Sequence, residues 1–367
     1  MASSAAAGST RSRVPSIAGC RPRQPLVFPG QAWVRRIRRV KRLRARPQGT
    51  TIAAHGAVSI ICGTTLAPEN EQANQAAAAL SLLLGDELHL VHVVDELGAE
   101  LALTEEYDTL YEPAGRHLRG EADDLRQLGI QIEPELAAGA WHAELPRIAM
   151  HHRARLIVLS PHPGVVRKRP SPWAAVRIAR AAPIPVMLVR HADGLLRWAQ
   201  ERAPLRVLIA LGCCPGSRAA LRWIAELRSG GPCEAWLAYV SRMGGVSDAS
   251  AEISAHPYRS LPPFRCEPPL DEVEAFRDEL RRLGVSVTKT SVQDASVLED
   301  LAQREAIDLV VVPRDLPRGH LWPRWVWHSL FRAAVPGVVV CVPPDDAAER
   351  VRPAGPLSEL VRHPPPR

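Results

Sequence analysis

Three groups of residues have the types and spacing to do chemistry. The first is Ser160-Pro161-His162-Pro163, followed by Arg167-Lys168-Arg169 and Ser171-Pro172. Basic side chains ahead of a helix start can hold a phosphate. Ser171 is a good N-cap and Pro172 suits the first helical position, so the free N–H groups of the next helix would face the same place. Against this, Pro161, Pro163, Pro170 and Pro172 remove four backbone donors, and a solvated basic loop is the favoured reading. The second group is aromatic: Trp322, Trp325, Trp327 and Phe331, with Arg314, Arg318 and Arg324 nearby. Such a cluster can stack a base or anchor a partner. Trp327 and Phe331 are four apart, however, which puts them on one helix face and favours packing.

The third group is the metal and redox types. Cys213-Cys214 are adjacent, so in an extended segment their side chains point to opposite faces. His89 and His92 lie three apart on a strand-like run, again on opposite faces, and His151-His152 diverge on a helix. No metal site is expected. Neither a P-loop nor a dinucleotide fingerprint occurs, and no zinc-protease or nucleophile-elbow motif is present. Ser229-Gly230-Gly231 follows a helix and precedes Pro232-Cys233, which reads as a turn. No catalytic residue is assigned, and the chain is not expected to be an enzyme.

The elements that must position these residues repeat. A run Val58–Cys62 leads into a helix with Ala73, Ala76, Ala77, Leu80, Leu83 and Leu84 on one face, the spacing of a core-facing helix, stopped by Gly85. Leu88–Val94 is a second strand. Leu118, Ala122, Leu125 and Leu128 mark the next helix, Ile130 and Ile132 a third strand, and Ala143–His152 a further helix. Leu156–Leu159 reads as a buried parallel strand, and a helix over Pro172–Ala182 precedes Val186–Val189. The same order recurs from Val207, with helices over Ser217–Leu227 and Asp271–Leu283, the latter carrying Val273, Phe276, Leu280 and Leu283 on one face. Asp123 to Ile130 (DDLRQLGI) matches Asp278 to Val285 (DELRRLGV), and Leu309–Val312 and Val338–Val342 echo the last two strands of the first half. Alternating strands and helices imply an α/β fold with a doubly wound, parallel, five-stranded sheet in each half.

The domain reading is a basic, disordered tail over 1–50, a first domain at 56–190, a linker at 191–203, a second domain at 204–343 and a loose C-terminal tail at 344–367. The chain of 367 residues carries a net charge of +7. Twelve basic residues and no acid lie in residues 1–50. Subtracting them leaves 34 basic and 39 acidic groups, a balance of −5 for the remainder. The basic signal therefore belongs to the tail, and no nucleic-acid partner is expected for the folded body. A targeting segment, a basic amphipathic surface helix through Trp33, Val34, Ile37, Val40 and Leu43, and an over-extended start are the other readings of that tail. Seven cysteines at irregular spacings fit a reducing compartment, with Cys62, Cys233 and Cys341 as core residues. No apolar run reaches the length of a membrane span. A cytoplasmic location is expected.

The ordered set of segments resembles the universal stress protein family, over about 56–190 and again, more diverged, over 204–343. Leu84 to Asp95 (LGDELHLVHVVD), Leu128-Gly129-Ile130, Leu156-Ile157-Val158-Leu159 and Ala182-Pro183-Ile184-Pro185-Val186 carry the resemblance. It implies an adenine nucleotide alpha hydrolase-like fold and pairing through the last strand, which in tandem members joins the two halves into a pseudo-dimer within one chain. A homodimer and an unidentified protein partner are the further partner readings.

Nucleotide-binding members of that family have an Asp after the first strand and a glycine-rich loop, G-x-x-G-x9-G-[ST], after the fourth. Here the Asp position is Thr65 in the first half and falls around Gly212-Cys213 in the second. The loops read Ser160-Pro161-His162-Pro163 and Pro313-Arg314-Asp315-Leu316. Only the second-strand valines, Val93 and Val240, match. The resemblance therefore implies a non-catalytic stress-response binding or regulatory protein with degenerate nucleotide motifs and no required cofactor. The alternative is binding of ATP or another phosphate-bearing ligand by the 160–172 loop through His162, Arg167, Lys168, Arg169 and Ser171, with Val93 and Val240 as further contacts.

Overall fold

The computed structural model describes residues 58–94, 107–127, 129–160, 165–166, 169–170, 172–212, 214–243, 264–265, 270–294, 298–315 and 337–344. The two tails and the Trp322–Phe331 cluster lie outside them.

Strands and helices alternate through both halves. The first half runs β1 (Ser59–Gly63), α1 (Glu71–Leu84), β2 (Glu87–Val94), α2 (Tyr107–Gln127), β3 (Ile132–Ala138), α3 (Trp141–His151), β4 (Ala154–Leu159), a short antiparallel ribbon β5 (Val165–Val166) and β6 (Arg169–Pro170), α4 (Pro172–Ala181) and β7 (Val186–Val189). After α5 (Asp193–Glu201), the second half runs β8 (Leu205–Leu211), α6 (Pro215–Arg228), β9 (Cys233–Met243), β10 (Phe264–Arg265), α7 (Leu270–Arg282), β11 (Ser286–Asp294), α8 (Leu298–Arg304), β12 (Leu309–Pro313) and β13 (Val338–Val342). The helix stops follow the glycines. Gly85 takes φ +83°, and its N–H closes on the Ser81 carbonyl at 2.8 Å.

In the first half the parallel strands lie in the order β3-β2-β1-β4-β7; in the second they lie β11-β9-β8-β12-β13. The order reverses between β1 and β4, and between β8 and β12. The two half-sheets are not separate layers. β13 pairs antiparallel with β7 (Val338 with Val189, Cys341 with Val186), giving one sheet of 11 strands that also includes β10. One face is covered by α1, α2, α5, α6 and α7, and the other by α3, α4 and α8, so the central strands are apolar on both sides.

The segment read as a linker contains a helix that ties the halves together. Trp198 of α5 is 1% exposed and donates its indole N–H to the Pro232 carbonyl at 2.9 Å. Its ring lies against the Gly230-Gly231 turn. A Cβ on Gly231 would come within 2.6 Å of the ring nitrogen, so this turn lacks side chains because Trp198 occupies the space. Toward the first half, the Gln72 side chain accepts from the Ala192 N–H at 2.9 Å. Toward the second, Arg197 pairs with Asp308 at 2.6 Å, and that carboxylate also accepts from the Arg206 N–H.

Among the described residues no helix is long and apolar enough to cross a membrane. Replacing Trp198 with Ala leaves a large cavity between α5 and the Gly230-Gly231 turn, and we expect a loss of about 3–5 kcal/mol in denaturant unfolding. Gly231→Ala, which pushes a methyl into the same ring, should cost about 1–3 kcal/mol. A Trp198→Ala protein as stable as the parent would show that this ring does not anchor α5 to the second half.

Candidate functional site

In an open α/β sheet the strand-order reversal leaves a crevice outside the carboxyl ends of the two central strands. This chain has two such places, and its own side chains treat them differently.

In the first half, β1 ends in Gly63 and Thr64. Thr64 is fully buried, and its backbone N–H donates to the Val91 carbonyl at 2.8 Å. Its hydroxyl donates to Glu121 Oε2 at 3.4 Å and accepts from the Leu66 N–H at 3.0 Å. Asn74, on the sheet-facing side of α1, donates to the same Glu121 oxygen at 3.3 Å and accepts from the Cys62 thiol at 3.3 Å. His92 donates from Nδ1 to the Thr64 carbonyl at 2.8 Å, and Trp141 meets that imidazole edge-on at 6.2 Å between centroids. His117 lies 4.0 Å from the other Glu121 oxygen.

Burial pushes the Glu121 carboxyl up to about 7, against which the Asn74 and Thr64 hydrogen bonds pull down and Asp124 adds a small further rise. Burial also holds His92 below the usual histidine range. The floor of the first crevice is therefore a hydrogen-bonded set centred on a carboxyl that exchanges its proton near neutrality. On the far side of β1, Ser160 follows β4 with its hydroxyl buried and without a hydrogen-bond partner among the described residues.

In the second half the crevice is crossed by one of the chain's own carboxylates. Asp315, just past β12, accepts from the Gly216 N–H in the first turn of α6, at 3.1 Å and 3.3 Å for its two oxygens. A Cβ on Gly216 would stand 2.1 Å from that carboxylate, so only glycine lets it approach the helix end. A negative group on the free N–H groups of a helix start does what a bound anion would do there. Next to it, Arg314 turns the other way. Its guanidinium donates to the Ala182 carbonyl and, at 3.2 Å, to the Arg180 carbonyl, so it caps α4 of the first half. Ser217 completes the closure, donating to the Gly212 carbonyl at 2.8 Å and accepting from the Gly212 N–H at 3.0 Å.

The residues singled out from sequence fall as follows. Val93 is 2% exposed and packs in the core under α3 and α4. Val240 lies within β9, paired with Gln293 of β11, and its side chain is outside the described residues. Arg169 is in β6, on a ribbon inside the segment expected to be an irregular loop; the backbone pairing with Val166 is described, the side chain is not. His162, Arg167, Lys168 and Ser171 lie outside the described residues. Thr65, at the family's Asp position, accepts from the Asn70 amide. Cys62, Cys214, Cys233 and Cys341 are free thiols. Burial pushes Cys62 far up and the other three to about 12, so none is a thiolate at neutral pH.

The model of the universal stress protein family matches residues 59–190. That region is similar to a universal stress protein domain. No curated protein matches the chain. Among solved structures, a universal stress protein from Archaeoglobus fulgidus is similar at 12% identity, with 78% of this chain and 97% of that one covered and a TM-score of 0.56; at that identity the likeness shows the fold. A universal stress protein described from Pseudomonas aeruginosa is similar at 14% identity over 80% of this chain and 94% of that one, with a TM-score of 0.46.

Glu121, Asn74 and Asp315 were not legible as site residues in the sequence. The one local signal was a polar residue set within an apolar face. Asn74 interrupts the alanines of α1, and Glu121 falls between Leu118 and Leu125 on the buried side of α2.

Because Glu121 has its folded value raised above the ordinary 4.5 of a free carboxyl, folding favours its protonated form. The folded chain holds more protons than the unfolded chain between about pH 4.5 and 7. This group's contribution to stability therefore falls as pH rises through that window and stays low above it. Glu121→Gln keeps an acceptor and removes the charge. It should be more stable than the parent by about 2–3 kcal/mol at pH 8 and no more stable at pH 4, read from urea unfolding at both values. A variant less stable than the parent at pH 8 would contradict the assignment.

Proposed function

We propose that this chain is a tandem universal stress protein: a cytoplasmic, non-catalytic regulatory or binding protein with degenerate nucleotide motifs in both halves, neither of which takes nucleotide by the geometry of the family's nucleotide-binding members. The observation that carries this reading is the Asp315 carboxylate on the Gly216 N–H. A negative side chain already stands at the helix end beside the strand-order reversal, and phosphate oxygens brought there would meet like charge. The diversion of Arg314 to the carbonyls of α4 supports it, because the neighbouring cation is spent on the joint between the halves. Repetition of the strand order and the antiparallel β7–β13 pairing support the tandem reading.

A second reading places a phosphate-bearing ligand, ATP among them, on the first half through the 160–172 segment. It is favoured by Ser160, whose buried hydroxyl stands without a partner among the described residues where that segment begins.

Isothermal titration of the full chain with ATP, ADP and AMP distinguishes the two. The non-binder reading expects no heat of binding in the micromolar range. Micromolar binding of ATP that disappears in an Arg167→Ala, Arg169→Ala double variant would carry the second reading. Micromolar binding that survives it but is altered by Asp315→Ala would place nucleotide in the second half and overturn both.

A further inference from the structure

At the end of the sheet opposite the crevices, the strands bring together a set of side chains with the composition of a metal site. Glu87 and His89 come from the start of β2, Glu133 and Glu135 from the start of β3, and His152 from the residue after α3. The three β-strand carboxylates and His89 sit at odd positions of paired strands (His89 is opposite Glu133), which puts them on the sheet face that α3 covers. His152 is held over that face because the Ser59 hydroxyl at the start of β1 donates to its carbonyl at 3.0 Å.

The distances are those of a cluster without its centre. His152 Nε2 lies 2.9 Å from Glu135 Oε2, and the His89 and His152 rings face each other with centroids 3.9 Å apart, tilted by 32°. His89 is 3% exposed, and its Nδ1 makes no hydrogen bond among the described residues. The carboxylates nearest its two nitrogens, Glu133 at 3.8 Å and Glu87 at 3.9 Å, are beyond hydrogen-bonding distance. A buried imidazole is costly to leave in that state. A cation with several coordination positions gives that nitrogen a partner. One ligand-capable atom from each of His89, Glu135 and His152 lies within 4.8 Å of the others, and Glu87, His89 and Glu133 form a second such triad sharing His89.

We propose that His89, His152 and Glu135 bind a divalent transition-metal ion of the Zn2+ type. Two imidazoles and a carboxylate select the borderline ions, Zn2+ with Co2+ and Ni2+, over Mg2+ and Ca2+, which take oxygen ligands. Three protein ligands leave the fourth tetrahedral position to water. The remaining carboxylates, Glu87 and Glu133, flank His89 and add negative charge that favours a cation. Zinc holds its ligands at about 2.0–2.2 Å, so the ligand atoms must close in by roughly an ångström. The stacked rings also have to splay until both nitrogens converge. His152 and Glu135 supply that movement, with side chains 23% and 30% exposed, while His89 stays fixed in the core.

The test is titration of the full chain, freed of metal by a chelator, with Zn2+ and separately with Co2+. One Zn2+ per chain at micromolar affinity or tighter is expected. His152→Ala and Glu135→Gln should each weaken it at least about tenfold, with far-UV circular dichroism and the thermal midpoint of the metal-free proteins showing that both fold. The Co2+ complex should lack a thiolate charge-transfer band, which separates this site from the cysteines. Absence of binding, binding unchanged in both folded variants, or a thiolate band on the bound Co2+ would overturn the assignment.

Discussion

The antiparallel pairing of β7 with β13 is the constraint on which the rest of this molecule depends. Val186–Val189 and Val338–Cys341 are 2% exposed or less and apolar on both faces. Left alone, each would be the open edge of a five-stranded sheet, with unpaired backbone groups next to bare valines. Joined, they take β7 and β13 into the sheet interior and leave β3 at one end and β10 and β11 at the other. Two contacts exist only because of this seam. Arg314 reaches the last carbonyls of α4, and α5 lies across both halves through Trp198, Gln72 and Asp308.

The same seam gives the two crevices different environments. The end of β12 lies beside the end of α4, so Arg314 is drawn toward the carbonyl end of that helix while its neighbour Asp315 is drawn toward the amino end of α6. Adjacent residues of opposite charge thus answer two helix dipoles of opposite sign. The first half has a different interior at the matching place: a protonatable carboxyl, an amide, a hydroxyl and an imidazole held by backbone and side-chain hydrogen bonds. Repetition of the fold has not brought repetition of the chemistry. The other end of the sheet carries a third polar cluster, in which strand pairing between β2 and β3 sets glutamates beside a histidine that the core encloses.

Much of the architecture was readable along the chain, because burial on a helix or in a parallel strand leaves a periodic trace. Leu118, Ala122 and Leu125 mark the buried face of α2. The uninterrupted runs Leu156–Leu159 and Leu309–Val312 mark strands covered on both sides, and the repeated order of elements marks the two half-sheets that β7 and β13 join. The ribbon β5–β6 and the helix α5 were less legible. Two-residue strands carry no period, and the polar face of α5 resembles a linker when its buried face is only Leu195, Leu196, Trp198, Ala199 and Gln200.

What the sequence by itself determined is the succession of strands and helices and their apolar faces, since both are encoded by neighbours a few residues apart. Only the tertiary structure decided which polar residues meet. Asp315 and Gly216 are 99 positions apart, Thr64 and Glu121 are 57 apart, and Arg314 reaches back 132 residues to Ala182. His89 joins Glu135 and His152 rather than His92, because alternation on a strand sends the two histidines to opposite faces and the register of β3 chooses the partners. Such pairs leave no periodic trace: a single polar residue in an apolar stripe looks the same in sequence whether or not the fold supplies its partner.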